Sequence, residues 1–311
     1  MTDSPFFSII IPTYNREAFI SKAVQSIIDQ TFKNWELIVV DDGSTDNTSN
    51  IIASFKDERI KYIYQQNSER SVARNNGIVN SKGKYICFLD SDDTFFSYTL
   101  YEFYQCLSKN NFPEAVVFCD ACTYDENNVL ISKTCYRPIN EILENYLFAN
   151  SIGTVQTCIN AALLKTEKFN STITIGEDKE LWLRLSAKTK FLYLPVPGIK
   201  VMDHSDRTIF LGNKNAVFGN LQTLKYIIKQ PYARKISRSV KKKVFSNAYI
   251  KIGYHYSYYK KRTIALFWFL KGFFIAPHYR TKERLYLIIS NTLTGKMLLK
   301  CRRKNKKISV K

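Results

Sequence analysis

Four short strings in this chain bring together residue types that could do chemistry. Asp90, Ser91, Asp92 and Asp93 close an apolar run. In extended backbone, positions i and i+2 face the same way, so Asp90 and Asp92 can present two carboxylates to one point. A Mg²⁺ or Mn²⁺ ion needs few protein carboxylates when it also holds substrate phosphates. The plainer alternative is that these acids cap the next helix, Asp93 above all. Asp41-Asp42-Gly43-Ser44 ends a second apolar run. A carboxylate there can accept from the imide N–H of a uracil ring or from a ribose hydroxyl; an Asp-Gly turn is also common with no ligand at all. Tyr14-Asn15-Arg16 follows the first apolar run. Tyr14 could stack on a base, and the first turn of a following helix offers N–H groups to a diphosphate, or Asn15 simply caps that helix. Arg74 could pair bidentately with phosphate oxygens or form a surface ion pair.

These strings need a frame that carries them to one place. FFSIII (6–11), WELIVV (35–40), IKYIY (60–64), KYICFLD (84–90) and AVVFCD (115–120) read as buried strands. Between them, residues 16–29, 46–55, 71–81 and 97–109 read as helices, the first with Phe19, Ile20, Ala23, Val24, Ile27 and Ile28 at helical spacing. Strand–helix alternation with continuous apolar strands implies an α/β fold: a mostly parallel, Rossmann-like sheet flanked by helices. In such sheets ligands bind beyond the carboxyl ends of the strands, where PTYNR, DDGS and DSDD fall. Further on, helices are expected over 139–149 and 178–188, short strands near 120–135 and 155–160, and two more strands at 191–195 and 198–203.

Taken together, SIIIPTYNR, ELIVVDDGSTDNT, ARNNGI, GKYICFLDSDD and GEDKELWLRL resemble the GT-A glycosyltransferases, most closely family 2, whose members are inverting and use nucleotide-sugars. The strings stand in the family's order and cover residues 6 to about 205. The resemblance implies a donor side made of Pro12, Tyr14, Arg16, Asp42, Arg74, Asp90, Ser91 and Asp92. Tyr14, Asp42 and Pro12 would hold a pyrimidine base, Arg74 would face the nucleotide, and Asp90 with Asp92 would form the DxD pair for ribose and a divalent metal (Mg²⁺ or Mn²⁺). Glu177-Asp178 would be the acceptor-side pair, with Asp178 the general base and Glu177 positioning it or capping the helix. Trp182, one helical turn on, could floor the acceptor site or lie in the core. His204 would be a further metal ligand or phosphate contact, or a packed or surface histidine. The implied reaction is a single displacement from a nucleoside-diphosphate-sugar, with a metal stabilising the leaving group and a base activating the acceptor hydroxyl.

Composition adds a second part. Of the 311 residues, 46 are Lys or Arg and 27 are Asp or Glu, for a net charge of +19. Residues 211–311 hold 25 of those basic residues and a single acid, Glu283, whereas 1–210 carry a small net negative charge. The division implied is a catalytic domain over 1–210 and a basic, aromatic-rich helical region over 211–311, with a helix pair at 248–277 stopped by Pro277. Basic blocks at 241–243, 260–262 and 302–307 interleave with aromatics. They suit an anionic membrane surface, with Phe267, Trp268, Phe269, Phe273 and Phe274 entering the headgroup boundary, unless those rings form a helical core. Nucleic acid fits the charge but not an acidic metal site. With 45% hydrophobic and 23% charged residues, wholesale disorder is excluded.

No run of about 18 apolar residues predicts a membrane span, and MTDSPFFSIII lacks the basic start of a signal peptide. Seven irregularly spaced cysteines read as reduced thiols, with Cys119 and Cys122 lacking two further zinc ligands. The expectation is a cytoplasmic enzyme, peripheral on the inner membrane face, acting on a glycan or lipid-linked acceptor of bacterial surface polysaccharide. The competing expectation is a non-catalytic nucleotide- or glycan-binding member of the fold docked to a membrane assembly.

Overall fold

The computed structural model describes residues 4–204 and 213–293, so the block at 302–307 and Cys301 lie outside the described residues. In chain order the elements begin β1 (Phe7–Thr13), α1 (Ile20–Ile28), β2 (Trp35–Asp41), α2 (Thr48–Ser54), β3 (Ile60–Tyr64), α3 (Arg70–Asn80), β4 (Tyr85–Phe88), β5 (Thr94–Phe95) and α4 (Thr99–Lys109). They continue with β6 (Ala115–Tyr124), β7 (Leu130–Thr134), α5 (Leu143–Ala149), β8 (Thr157–Asn160), α6 (Ala161–Thr166), α7 (Glu177–Ser186) and β9 (Lys190–Met202). The last four are α8 (Lys214–Ile227), α9 (Arg238–Tyr258), α10 (Arg262–Ile275) and α11 (Thr281–Leu293). The chain divides into two compact units, one of residues 1–143 and 151–204, the other of 144–150 and 205–311.

The first unit is α/β. Its sheet runs β3-β2-β1-β4-β8-β6-β9-β5, with β7 added to β6. The apolar strands are there because they are covered on both sides: β2 and β4 are buried along their whole length, and β1 at all but Pro12. Parallel pairing holds for β1–β2, β1–β4, β2–β3 and β6–β9. The other four pairings are antiparallel, so the later strands make the sheet mixed where a mostly parallel one was expected. β8 runs against both β4 and β6, and antiparallel neighbours need no crossover connection. One sheet face buries Ile9, Ile11, Cys87, Leu89, Val117, Cys119 and Ala121 in a core with α1 and α4. The other face carries Ile10 and Phe88 toward α3 and Phe169.

Two sequence boundaries moved for physical reasons. The helix expected from residue 16 starts at Ile20, because Asn15 takes a positive φ of 50° and the chain loops before it can coil. The two strands expected at 191–195 and 198–203 are one long strand with an interruption. Its register on β6 jumps from Leu194 to Pro197, where Pro195 and Pro197 supply no N–H to the ladder. The six described cysteines are free thiols. Cys119 and Cys122 sit at odd and even positions of β6, so the strand turns them to opposite faces.

The second unit is helical. α9 and α10 pair through Ile250, Ala265 and Phe269. Phe269 is fully buried there, which removes it from the set of rings expected to meet lipid. Buried Arg284 donates through Nη1 to Ser246 Oγ and to the carbonyls of Gly272 and Ala276, the last at 3.3 Å. It thereby satisfies carbonyls that the end of α10 would leave unpaired. Phe267 and Phe274 remain exposed, at 57% and 71%. No described helix is long and apolar enough to cross a membrane.

Candidate active site

Three turns of the first unit carry the site. The turn after β2 is built by Asp41, whose Oδ1 accepts from Ser44 N (2.8 Å) and Oδ2 from Tyr62 OH (2.8 Å). Gly43 has φ +87°, a backbone state that other residues adopt only with strain. This spends Asp41 on structure and leaves Asp42 as the second acid of the turn. Asp42 is buried, and its Oδ1 accepts from Ser68 N (2.9 Å) and Gln65 Nε2 (2.7 Å). No described residue donates to its Oδ2. Tyr14, just after β1, is 47% exposed.

The N–H groups after β1 are not available to a diphosphate. Those of Asn15, Arg16 and Glu17 donate to Ser44 Oγ, Thr48 Oγ1 and Asp46 Oδ2 at 2.9–3.0 Å. The expected anion-binding first turn is therefore replaced by a splint between the turns after β1 and β2. Pro12 and Arg16 are half-buried at the same edge.

After β4, acid oxygens of Asp90, Asp92 and Asp93 lie within 4.8 Å of one another. Asp93 is buried and accepts from Met202 N at 3.1 Å, which ties it to β9. Ser91 is buried between the two remaining acids. Asp92 Oδ2 lies 3.0 Å from His204 Nε2, and the His204 ring stacks on Phe19, centroids 4.6 Å apart. His204 Nδ1 is buried without a described partner. Carboxylates crowded this closely carry more negative charge than one histidine and one arginine offset. Oxygen donors with an adjacent imidazole suit a hard divalent cation, so the residues present fit Mg²⁺ or Mn²⁺ held by Asp90 and Asp92.

Arg74 links this cluster to the next. It is 3% exposed; Nη2 donates to Asp90 Oδ1 (3.0 Å) and Nη1 to Glu177 Oε1 (2.9 Å). Burial works against its charge, but Asp90 and Glu177 outweigh that and hold it protonated more firmly than an ordinary arginine. The arginine expected to face a nucleotide is thus turned to two carboxylates. Glu177 is buried and also takes Arg70 Nε at 2.9 Å. Arg70 escaped the sequence reading, although its spacing of four from Arg74 puts both on one face of α3.

Asp178 follows Glu177 in the first turn of α7, which the chain enters through Gly176 at φ +82°. Its Oδ1 accepts from Lys179 N at 2.6 Å, and no described side chain donates to it. Burial and then the charge of Glu177 push its pKa up to about 6, against a smaller pull from Lys179 and Arg74. Trp182 does not floor an acceptor site. It is 1% exposed and donates through Nε1 to Ile152 O (2.9 Å), which places it in the core.

The sum is an ordered chain of polar groups: His204, Asp92, Asp90, Arg74, Glu177 and the half-buried base candidate Asp178. Arg74's charge is felt at Asp178.

The chain resembles known proteins over most of its length. The family model described as glycosyl transferase family 2 matches residues 8–165. An uncharacterized glycosyltransferase of Rickettsia conorii is 32% identical over 247 residues, 74% of this chain and 38% of the relative. The chain thus spans about two-fifths of the length of that relative. A GalNAc(5)-diNAcBac-PP-undecaprenol beta-1,3-glucosyltransferase of Campylobacter jejuni is 30% identical over 219 residues, 68% of this chain and 70% of the relative. Among solved structures, that of S. aureus TarS 1–349 in complex with UDP-GlcNAc superposes with a TM-score of 0.60 at 17% identity, covering 87% of this chain and 81% of the other. At that identity the likeness speaks for the fold alone.

Proposed function

The chain belongs to glycosyltransferase family 2 and has the GT-A fold, and on that premise we propose that it transfers a sugar, with inversion, from a nucleoside-diphosphate-sugar to a hydroxyl of a glycan or lipid-linked acceptor in bacterial surface polysaccharide synthesis. The observation that carries the reading is the Asp90–Arg74–Glu177 ion-pair chain, which ties the acidic motif after β4 to the helix bearing Asp178. A UDP-sugar is the donor proposed. Asp42 keeps one carboxylate oxygen for the imide N–H of a uracil ring, and the exposed Tyr14 offers a ring to stack on it. The UDP-GlcNAc bound in the TarS structure is consistent with this choice. The undecaprenol-linked substrate named for the Campylobacter relative supports the class of acceptor.

In this reading Asp90 and Asp92 would hold a divalent metal, with His204 fixing Asp92 in place, and the bound metal would supply neutralisation of the charge that develops on the departing diphosphate. Asp178 accepts the proton of the acceptor hydroxyl as its oxygen attacks the anomeric carbon from the face opposite the leaving group. A pKa of about 6 keeps most of the carboxylate ionised at neutral pH while leaving it more basic than an ordinary aspartate. Arg74 keeps Asp90 and Glu177 in fixed positions and holds Asp178 from rising further. The test is release of nucleoside diphosphate from a panel of UDP-, GDP- and dTDP-sugars with and without Mn²⁺. One UDP-sugar should be hydrolysed slowly without acceptor, and only with the metal present; no turnover of any donor would overturn the reading.

The helical unit is proposed to rest on anionic lipid, which would place the enzyme peripherally on the inner face of the cell membrane. Residues 213–293 carry 17 Lys and Arg against one acid. Along α10, Ile264, Phe267 and Phe274 are exposed at helical spacing, with Lys271 between them. An apolar stripe edged by cations suits an interfacial helix, and each nearby Lys or Arg adds about 1 kcal/mol on an anionic surface. A nucleic-acid backbone would leave the apolar stripe unused. In flotation assays the protein should rise with phosphatidylglycerol vesicles and not with phosphatidylcholine, and Phe267→Ser/Phe274→Ser should abolish this. Equal flotation of the variant would refute the α10 contact.

A further inference from the structure

One more buried carboxylate, Asp120 of β6, is left idle by the transfer chemistry. Ile86 of β4 pairs with Ile159 of β8, which pairs in turn with Val116 of β6. Asp90 and Asp120 lie four residues beyond those partners, Asp90 two residues past the end of β4 and Asp120 still within β6. Two strand spacings, roughly 10 Å, separate β4 from β6. They also share a face, since Leu89, Cys119 and Ala121 all point into the core on the opposite one.

Asp120 is buried, and its Oδ1 accepts from Tyr193 OH (2.9 Å) and from Tyr136 N (3.1 Å). No described residue donates to Oδ2. The Tyr193 ring lies on Phe118 at 5.3 Å and 25°, which covers one of its faces. Tyr136 stands at 87° to Tyr193, with centroids 6.2 Å apart, so the two rings form a corner with the carboxylate at its seam. Both tyrosines are half-buried. The corner is also joined to the proposed base. Tyr136 OH donates to Ser151 O (2.7 Å), and the next carbonyl, that of Ile152, accepts from Trp182 on the helix of Asp178.

We propose that Asp120, Tyr136 and Tyr193 form the subsite for the acceptor's terminal sugar, a neutral pyranose ring. The inference rests on the transferase reading for its place in the reaction. An aromatic face packs against the C–H side of a pyranose, and a buried carboxylate accepts strongly from its hydroxyls. The same carboxylate repels a uronic acid or a sugar phosphate, which sets the preference for an uncharged ring. Tyr193 and Tyr136 are specificity-determining residues in this scheme, and Asp120 orients the ring without taking part in proton transfer.

Methyl glycosides of glucose, galactose, N-acetylglucosamine and N-acetylgalactosamine are the probes, with methyl glucuronide as the charged comparison. Saturation-transfer NMR should show at least one neutral glycoside bound to the full chain, and Asp120→Asn and Tyr193→Leu should each weaken it tenfold or more. In the diphosphate-release assay the same variants should raise the glycoside concentration for half-maximal stimulation tenfold. Acceptor-independent hydrolysis and the donor KM should stay within twofold, a pattern that misfolding would not produce. Tyr193→Phe, which keeps the ring, should weaken binding less than Tyr193→Leu. Binding of no neutral glycoside, tighter binding of the glucuronide, or variants that change donor KM alone would each overturn the subsite. Failure of every donor to turn over would instead strike the transferase reading, while the NMR arm still decides the subsite.

Discussion

Asp178→Asn will lower the transfer rate by about 10²–10⁴-fold, the loss typical when a positioned base is removed. The wild-type rate will fall roughly tenfold per pH unit below about 6, because protonation there removes the base. The variant's residual rate will lack that limb. Its effect on stability has the opposite sign. The folded-state pKa lies above the ordinary aspartate value, so the folded chain binds this proton more tightly than the unfolded chain does. Stability is therefore lost as pH rises from about 4 to 6, and the deficit is fully present above 6. Asparagine removes the buried charge, so at pH 7.5 the variant will melt no lower than wild type while being nearly inactive. Thermal melts at pH 5 and 7.5 beside a pH–rate profile check both halves. A variant that lost activity and melted well below wild type would show that Asp178 serves structure instead.

Arg74→Ala will cost stability as well as activity. Removing one partner of a buried ion pair typically costs about 3–5 kcal/mol. The low end is expected, because Glu177 keeps Arg70 and Asp90 has a 40% exposed side chain that water can reach. About 3 kcal/mol corresponds to a melting shift of roughly 6–12 °C for a unit of this size. The variant will also move the acidic limb of the rate profile upward, since Arg74's charge favours ionised Asp178. Glu177→Gln in the Arg74→Ala background will recover part of the lost stability, as the buried carboxylate is otherwise left there with only the partly exposed Arg70. Calorimetry on the single and double variants measures this coupling. An Arg74→Ala protein that melts like wild type would mean the pair is solvated.

Much of the frame was legible because β1, β2 and β4 each carry a buried apolar run (9–11, 37–40 and 85–88) that leads into a polar turn. Continuous burial forces both faces to be covered, and the turns then share one edge. What the chain does not write locally is pairing between distant parts. Asn15, Arg16 and Glu17 read as a helix start, yet their N–H groups are taken by Ser44, Thr48 and Asp46, about 30 residues away. Arg74 read as a ligand for phosphate, and its carboxylate partners 16 and 103 residues away could not be seen from its neighbours. Trp182 shares a helix with Asp178, and only the position of the Ile152 carbonyl shows that it belongs to the core. Asp120 carried no visible motif; its meaning depends on the register that sets β6 beside β8 and β8 beside β4.

The central claim is that the acids after β4 grip a cation that stabilises a departing nucleoside diphosphate. It is tested most directly by the diphosphate-release assay on wild type and Asp92→Asn across a Mn²⁺ titration. The account predicts saturable, metal-dependent release from a UDP-sugar by wild type, and for the variant at least a hundredfold loss at low metal, with half-saturation moved to higher Mn²⁺. Equal release by both proteins, or release indifferent to metal and chelator, would contradict it.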